Sequence, residues 1–217
     1  MRCIFCKSGS DGSRSIEHII PESLGNTEHT LPRRVVCDAC NNYFARKIEA
    51  PLLASQVFVL LRARQRIPNK RGLIPTAWEW ERDLPGYRLM GRFLAKVGIE
   101  VLAQRVLSVS GWNDEFVGNS GLDKIRRYVR RNEGKDWPFA FRTLYSVNTV
   151  FSDAGVFFDV PHEYTILVTP TSEYYLAIAL FGVEFVINLG GQSLDGWAGW
   201  LSDNNGSSPL YPAPTER

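Results

Sequence analysis

Four cysteines form two C-x-x-C pairs, and all of them lie within the first 40 of the 217 residues. Cys3 and Cys6 form the first pair, and Cys37 and Cys40 form the second. Two cysteine pairs with this internal spacing are typical of structural zinc sites, in which four thiolates surround the ion as a tetrahedron. The sequence therefore predicts a zinc ion that these four side chains hold.

The chain segment between the two pairs carries residue types that suit hydrolysis. Glu17 and His18 lie in the run Ile-Glu-His-Ile-Ile-Pro, and Asn41 follows the last cysteine directly. A histidine with an ordinary pKa of ~6.5 is mostly neutral at pH 7 and can accept a proton. Carboxylate and amide oxygens suit Mg²⁺ or Mn²⁺. These three residues are therefore candidates for a catalytic site that a structural zinc ion supports.

The order C-x-x-C, Glu-His-Ile-x-Pro, C-x-x-C-Asn resembles the HNH endonucleases, also called ββα-metal or His-Me finger nucleases, over residues 1–52. The layout is similar to that of phage members of the family in which a four-cysteine zinc site supports the fold. The resemblance implies that His18 is the general base and that Glu17 and Asn41 hold a catalytic Mg²⁺ or Mn²⁺ ion. It also implies a structural Zn²⁺ on the cysteines and hydrolysis of phosphodiester bonds in DNA, with RNA as an open alternative.

The sequence departs from the family pattern in one place. Many family members have a middle asparagine that orients the catalytic histidine, but here that stretch reads Leu-Pro-Arg-Arg, residues 31–34. A backbone carbonyl, Asn26 or His29 remains for this role. The alternative reading of the chain is a non-catalytic zinc ribbon that binds nucleic acid or serves as an adaptor, for which neither Glu17-His18 nor Asn41 is needed.

The charges are divided unevenly along the chain. Residues 1–75 hold twelve Lys or Arg and six Asp or Glu, whereas residues 76–217 hold thirteen and seventeen. A basic surface beside a hydrolytic site suits a polyanion such as nucleic acid, although an ordinary solvated face explains the charge equally well. The candidate nucleic-acid-binding residues are Arg33, Arg34, Arg62, Arg64, Arg66, Lys70 and Arg71.

The elements around the candidate site are expected to be two short strands followed by a helix. We expect an α+β protein with a zinc-stabilised ββα-metal nuclease domain and a basic helical extension over residues 1–71. An accessory domain over residues 72–217 is expected to hold helices at about 87–131 and an antiparallel β-meander at about 140–190. The Gly-rich tail from Gly190 is expected to be irregular.

The composition, with 44% hydrophobic and 22% charged residues, is ordinary for a globular protein. No apolar run approaches the ~18 residues of a membrane span, and no signal peptide is recognisable. We therefore expect a cytoplasmic protein, because a reducing compartment keeps thiols free to bind metal. The accessory domain is expected to bind a partner protein or form a homodimer. A bacterial or phage nuclease in defence or mobile-element biology would fit this description.

Overall fold

The computed structural model describes residues 1–26, 28–68, 71–75, 86–111, 114–144, 151–153, 156–158 and 162–210. Two short strands, β1 (Glu17–His18) and β2 (Thr30–Leu31), pair antiparallel with Glu17 opposite Leu31 and His18 opposite Thr30. The strands are shorter than the β-prone runs of the sequence. Ile19, Ile20, Leu24 and Leu31 are buried around them, so the short hairpin is held by apolar packing as well as by its ladder.

A helical segment follows the second cysteine pair. Helix α1 (Asp38–Phe44) continues into a π-helical turn (Ala45–Glu49) and then into α2 (Ala50–Leu53). Pro51 lies just after the π turn, where the hydrogen-bond pattern of the helical segment changes. The order of strand, strand and helix expected around the cysteines is thus present.

Four further α-helices follow among the described residues before the main sheet: α3 (Gln56–Arg64), α4 (Tyr87–Ser110), α5 (Asp114–Gly118) and α6 (Asp123–Arg131). Residues 90–101 of α4 are buried without interruption, so this middle stretch of the helix is enclosed on all sides, whereas both ends of the helix reach the surface. It packs against α6 and against the π turn. Among the described residues, no helix is both long enough and apolar enough to cross a membrane.

The second half of the chain is built on antiparallel strands: β3 (Phe139–Thr143), β4 (Phe151–Asp153), β5 (Val156–Phe158), β6 (His162–Val168), β7 (Tyr174–Leu180) and β8 (Val183–Asn188). Four of them form a sheet in the order β3-β8-β7-β6, and β4 pairs with β5. The expectation of mixed helices and antiparallel sheets is confirmed.

The expectation of an irregular tail is wrong. Helix α7 (Asp195–Asp203) packs Trp197 on a core cluster with Tyr175, Ala177 and Val186. Trp197, Trp200 and Leu201 recur at helical spacing and form the apolar face of this helix. The glycines and serines around them obscured that signal in the sequence.

The chain divides into two compact units, Met1–Trp137 and Pro138–Arg217. This division differs from the boundary expected between residues 71 and 72. The reason is that α4 and α6 pack on the N-terminal elements, and α6 also contacts α1. The helices at 87–131 therefore belong to the same unit as the cysteines.

Candidate active site and metal centre

The four cysteine thiols form one cluster. Their Sγ atoms all lie within 4.8 Å of one another, and Cys3, Cys37 and Cys40 are buried. Cys6 Sγ and Cys37 Sγ are 3.6 Å apart. Four thiolates bound to one tetrahedral zinc ion at about 2.3 Å would have sulfur atoms about 3.8 Å apart. The donor set and its dimensions therefore fit a zinc ion.

Hydrogen-bond donors already point at this sulfur cluster. The backbone N–H of Cys37 donates to Cys3 Sγ at 3.4 Å, and Arg130 Nε on α6 donates to Cys40 Sγ at 3.3 Å. The Cys40 thiol, by hydrogen bonding, lowers the pKa of Cys3 to about 5, whereas that bond and burial raise the pKa of Cys40. Donors of this kind offset the negative charge that four thiolates bring to a metal ion.

A cavity of about 650 Å³ lies beside the hairpin, and we refer to it as the His18 cavity. Its walls include His18, Asn41, Glu49, Arg62 and Arg71. The volume is within the range of small-ligand sites in proteins. The structure thus brings two of the three predicted catalytic residues, the histidine and the asparagine, to one concave surface.

The π turn aligns one side of the helical segment with this cavity. Asn41, Ala45, Glu49 and Leu53 all line it, although twelve residues separate the first from the last. In an uninterrupted α-helix, residues twelve positions apart lie about 120° apart around the axis. A π turn takes up one extra residue and so removes about 100° of that rotation. Leu53 faces the same cavity as Asn41 for this reason, whereas Glu49, eight positions after Asn41, would share that broad face in an uninterrupted α-helix as well.

His18 is held through its backbone. It pairs with Thr30 across the hairpin, and its carbonyl oxygen accepts a hydrogen bond from Lys96 Nζ at 3.1 Å. Its Nδ1 is buried and has no hydrogen-bond partner within the described part of the chain.

Asn26 does not fill the role of the missing middle asparagine, because its amide is occupied by the loop backbone. That amide donates to Ile20 and His29 carbonyls and accepts from the N–H groups of Glu28 and His29.

Glu17 points away from the His18 cavity. Its side chain is 5% exposed, and its Oε1 lies 2.7 Å from Lys96 Nζ on α4. Its Oε2 is buried without a hydrogen-bond partner among the residues that the structure describes. Adjacent residues on a strand project to opposite sides, and this alternation separates Glu17 from His18 here. The structure therefore does not bring the Glu17 carboxylate into the cavity beside Asn41.

Lys96 is the centre of a buried ionic cluster, which we call the Lys96 cluster. Its Nζ lies 2.7 Å from Glu17, 2.8 Å from Glu49 and 3.1 Å from Glu100. Burial raises the pKa of Glu17 and of Glu100, and Lys96 opposes that rise in both. Burial lowers the pKa of Lys96, but the three carboxylates outweigh it and hold that pKa well above its usual value. Three acids therefore share a single ammonium group.

The candidate nucleic-acid-binding residues lie in different environments. Arg33, Arg34, Arg64 and Arg66 are exposed on the surface, and Arg71 is exposed at the edge of the His18 cavity. Arg62 is 8% exposed in the wall of the cavity. Lys70 lies outside the described residues. The structure thus separates Arg62 from the exposed arginines of the set.

The sequence reasoning overlooked Glu49 and Lys96. Lys96 was visible in principle, because Arg92, Lys96 and Glu100 recur every fourth residue in the otherwise apolar stretch 89–103. Charges at that spacing share one face of a helix, and a buried helix must pair them. Glu49 lies eight residues after Asn41 on the same broad helix face, but no motif singled it out.

A comparison with protein families agrees with this geometry. Residues 3–56 match the model of a family described as HNH endonuclease, a match that spans about a quarter of the chain. No curated protein and no solved structure gives a significant match. The matched segment contains all four cysteines, Glu17, His18, Asn41 and Glu49. The family match and the four-cysteine cluster together support an HNH endonuclease domain at the N-terminal end of this chain.

Proposed function

We propose that this protein is a metal-dependent endonuclease that hydrolyses phosphodiester bonds in DNA. The observation that carries the proposal is that His18 and Asn41 meet on one cavity inside a segment that matches the HNH endonucleases. The basic arginines around the cavity support a polyanionic substrate. The zinc-stabilised ββα-metal fold, with the hairpin and α1 around the site, is part of the same proposal.

His18 is the general base of the proposed reaction. Its imidazole takes a proton from a water molecule, the water oxygen forms a bond to phosphorus, and the bond from phosphorus to the 3′ oxygen breaks. The products are a 5′ phosphate and a 3′ hydroxyl. Lys96 fixes the His18 carbonyl, and the hairpin fixes the rest of the His18 backbone, so the imidazole starts from a rigid strand.

The oxygen atoms near His18 fit a hard divalent cation. Asn41 and Glu49 line the cavity, and Glu17 Oε2 is a buried acceptor without a partner among the described residues. Asn41 and Glu49, which share the cavity wall, would hold Mg²⁺ or Mn²⁺; Glu17 would join them only if its carboxylate turned from Lys96 toward the cavity. Such an ion stabilises negative charge on the phosphate and on the leaving oxygen when it is bound.

A cleavage panel tests the proposal. The zinc-loaded chain is incubated with duplex, single-stranded and branched DNA and with RNA, in Mg²⁺ or Mn²⁺. We expect cleavage of DNA, and we expect His18→Ala to reduce the rate by about 10²–10⁴-fold, the usual contribution of a general base. His162→Ala removes an imidazole from strand β6 and serves as the matched control. Equal rates for His18→Ala and the control would refute the role of His18.

A non-catalytic zinc module that binds nucleic acid is the second candidate. The observation that favours it is the burial of Glu17 against Lys96, which leaves this carboxylate outside the cavity. This candidate predicts no cleavage of any nucleic acid in any divalent metal. It also predicts DNA binding that Glu17→Gln and His18→Ala leave unchanged. The same panel, read together with a binding titration, separates the two candidates.

A further inference from the structure

Arg62 is a buried arginine for which the described part of the chain supplies no ion-pair partner. The residue is 8% exposed, and its Nε and Nη2 are shielded from solvent and have no hydrogen-bond partner among the described residues. Within the same part of the chain, no carboxylate lies within 4.0 Å of its guanidinium. A buried charge without a partner is costly, and most buried polar groups are paired. The missing partner is therefore the feature to explain.

The other buried cations of this unit have partners. Arg126 donates to the carbonyls of Ile4, Asn119 and Phe116, and Arg92 donates to Tyr43 and Val129. Lys96 has its three carboxylates. Arg62 lacks such partners among the described residues, although Arg92 Nε is also without one there, and burial lowers the pKa of Arg62. Within the described part of the chain, the Arg62 guanidinium therefore does not join elements of the fold.

The surroundings of Arg62 identify the kind of partner that is missing. It lines the His18 cavity together with His18 and Asn41. The cavity wall holds two acids, Glu22 and Glu49, and neither forms an ion pair with Arg62 among the described residues; Glu49 Oε1 instead lies 2.8 Å from Lys96 Nζ. A ligand that enters this cavity with its own negative charge would satisfy the guanidinium.

We propose that Arg62 binds the non-bridging oxygens of the phosphodiester that is cleaved in the His18 cavity. This inference rests on the proposed nuclease function. The planar guanidinium fork matches two phosphate oxygens and stays charged at every relevant pH. Charge on those oxygens grows during hydrolysis, so a preorganised cation beside them lowers the barrier. Arg62 lies on α3, beyond the matched segment 3–56, so the family motif does not assign it.

The test uses the full zinc-loaded chain and the variant Arg62→Met, with Arg46→Met as the matched control because Arg46 is exposed on the π turn. The first substrate is bis(p-nitrophenyl) phosphate, a diester too small to reach the surface arginines. We expect Arg62→Met to lower kcat/KM by about 100-fold or more, as the loss of one preorganised donor does, and Arg46→Met to leave it unchanged. Added guanidinium ion should restore part of the activity of Arg62→Ala.

Two further readouts separate a phosphate-binding role from a structural one. Removal of an unpaired buried charge should leave the urea midpoint of Arg62→Met at or above that of the wild type. Inorganic phosphate, compared with chloride at equal ionic strength, should raise the midpoint of the wild type more than that of Arg62→Met. A lower midpoint for Arg62→Met shows a structural role and overturns the inference. Equal stabilisation by phosphate overturns it as well.

The outcomes distinguish this inference from the proposed function. If the wild type cleaves and Arg62→Met cleaves within twofold of it, the inference fails and the nuclease function stands. If the wild type cleaves neither the small diester nor any nucleic acid, the nuclease function fails. The phosphate stabilisation then decides by itself whether Arg62 binds phosphate.

Discussion

Lys96→Met is the sharpest perturbation of the first unit. Methionine keeps most of the length and volume of the side chain but removes the ammonium group at the centre of the Lys96 cluster. Glu17 and Glu100 would remain buried, at 5% and 0% exposure, without their cation. The carbonyl of His18 would also lose its donor. The variant therefore tests whether α4 stabilises the candidate site electrostatically.

Two estimates of the free energy of unfolding that Lys96→Met loses agree with each other. Removing one partner of a buried ion pair usually destabilises a protein by about 3–5 kcal/mol. The folded variant can lower that cost by protonating one carboxyl group more than the wild type, in which Glu100 already has a raised pKa. At pH 7.5, protonating one glutamate with an ordinary pKa of about 4.5 costs about 4 kcal/mol. We therefore expect a loss of about 3–5 kcal/mol at pH 7.5, a large share of the 5–15 kcal/mol typical of folded domains.

The protonation of a buried carboxyl group also determines how the stability of Lys96→Met changes with pH. Without Lys96, burial raises the pKa of the remaining carboxyl groups in the folded state above their unfolded values. The folded state then holds more protons than the unfolded state, so stability falls as pH rises. At pH 5.5 the protonation cost shrinks to about 1.4 kcal/mol. The difference between the variant and the wild type should shrink by more than half.

Urea unfolding of the zinc-loaded chain at pH 7.5 and 5.5 measures both effects. Lys47→Met is the matched control, because Lys47 is exposed on the π turn, and we expect a change within about 0.5 kcal/mol. A loss below about 1 kcal/mol for Lys96→Met at pH 7.5 would refute the reasoning. So would a loss that does not diminish at pH 5.5.

Three further predictions concern other parts of the molecule. Glu100 has a folded-state pKa well above its usual value because it is buried. As pH rises above about 4.5, Glu100→Gln should therefore become more stable relative to the wild type, by up to about 1.4 kcal/mol per pH unit. Urea unfolding of both proteins between pH 5 and 8 measures this difference. Arg130→Met removes the donor to Cys40 and should weaken zinc binding about 10–100-fold in competition with a chromophoric chelator. Gly196→Ala places a methyl group against the Glu173 carboxylate, which is tied to Asn188 at 3.0 Å; we expect a loss of about 1–2 kcal/mol in the second unit by tryptophan fluorescence.

The parts of the site that could be predicted from the sequence are those that depend on the spacing of residues close together in the chain. The four cysteines were identifiable because a metal site repeats a fixed spacing twice, and they do form one cluster. His18 and Asn41 were identifiable by their places relative to the cysteine pairs, and they share a cavity. Their catalytic roles stay predictions.

Contacts between distant segments decided the rest. Nothing near Glu17 in the sequence indicates that its partner is Lys96, which lies 79 positions further along the chain. Leu53 stays in the cavity wall because a π turn shifts the register of the helix, and π turns have no simple sequence pattern. Likewise, the burial of Arg62 depends on which elements cover α3, and helical spacing alone does not give this.

Helices α4 and α6 come late in the first unit but contact its earlier helical segment, and this affects the order in which the unit folds. The cysteines are all synthesised within the first 40 residues, so a zinc ion can bind early and close a short loop. Lys96 and Arg130 emerge from the ribosome some tens of residues later, at about 5–20 residues per second. Until then, Glu17 lacks its cation and the carbonyl of His18 lacks its donor. A nascent chain would therefore acquire its metal scaffold seconds before the contacts that fix Glu17 and His18, and any activity that depends on those contacts would begin only when the first unit is nearly complete.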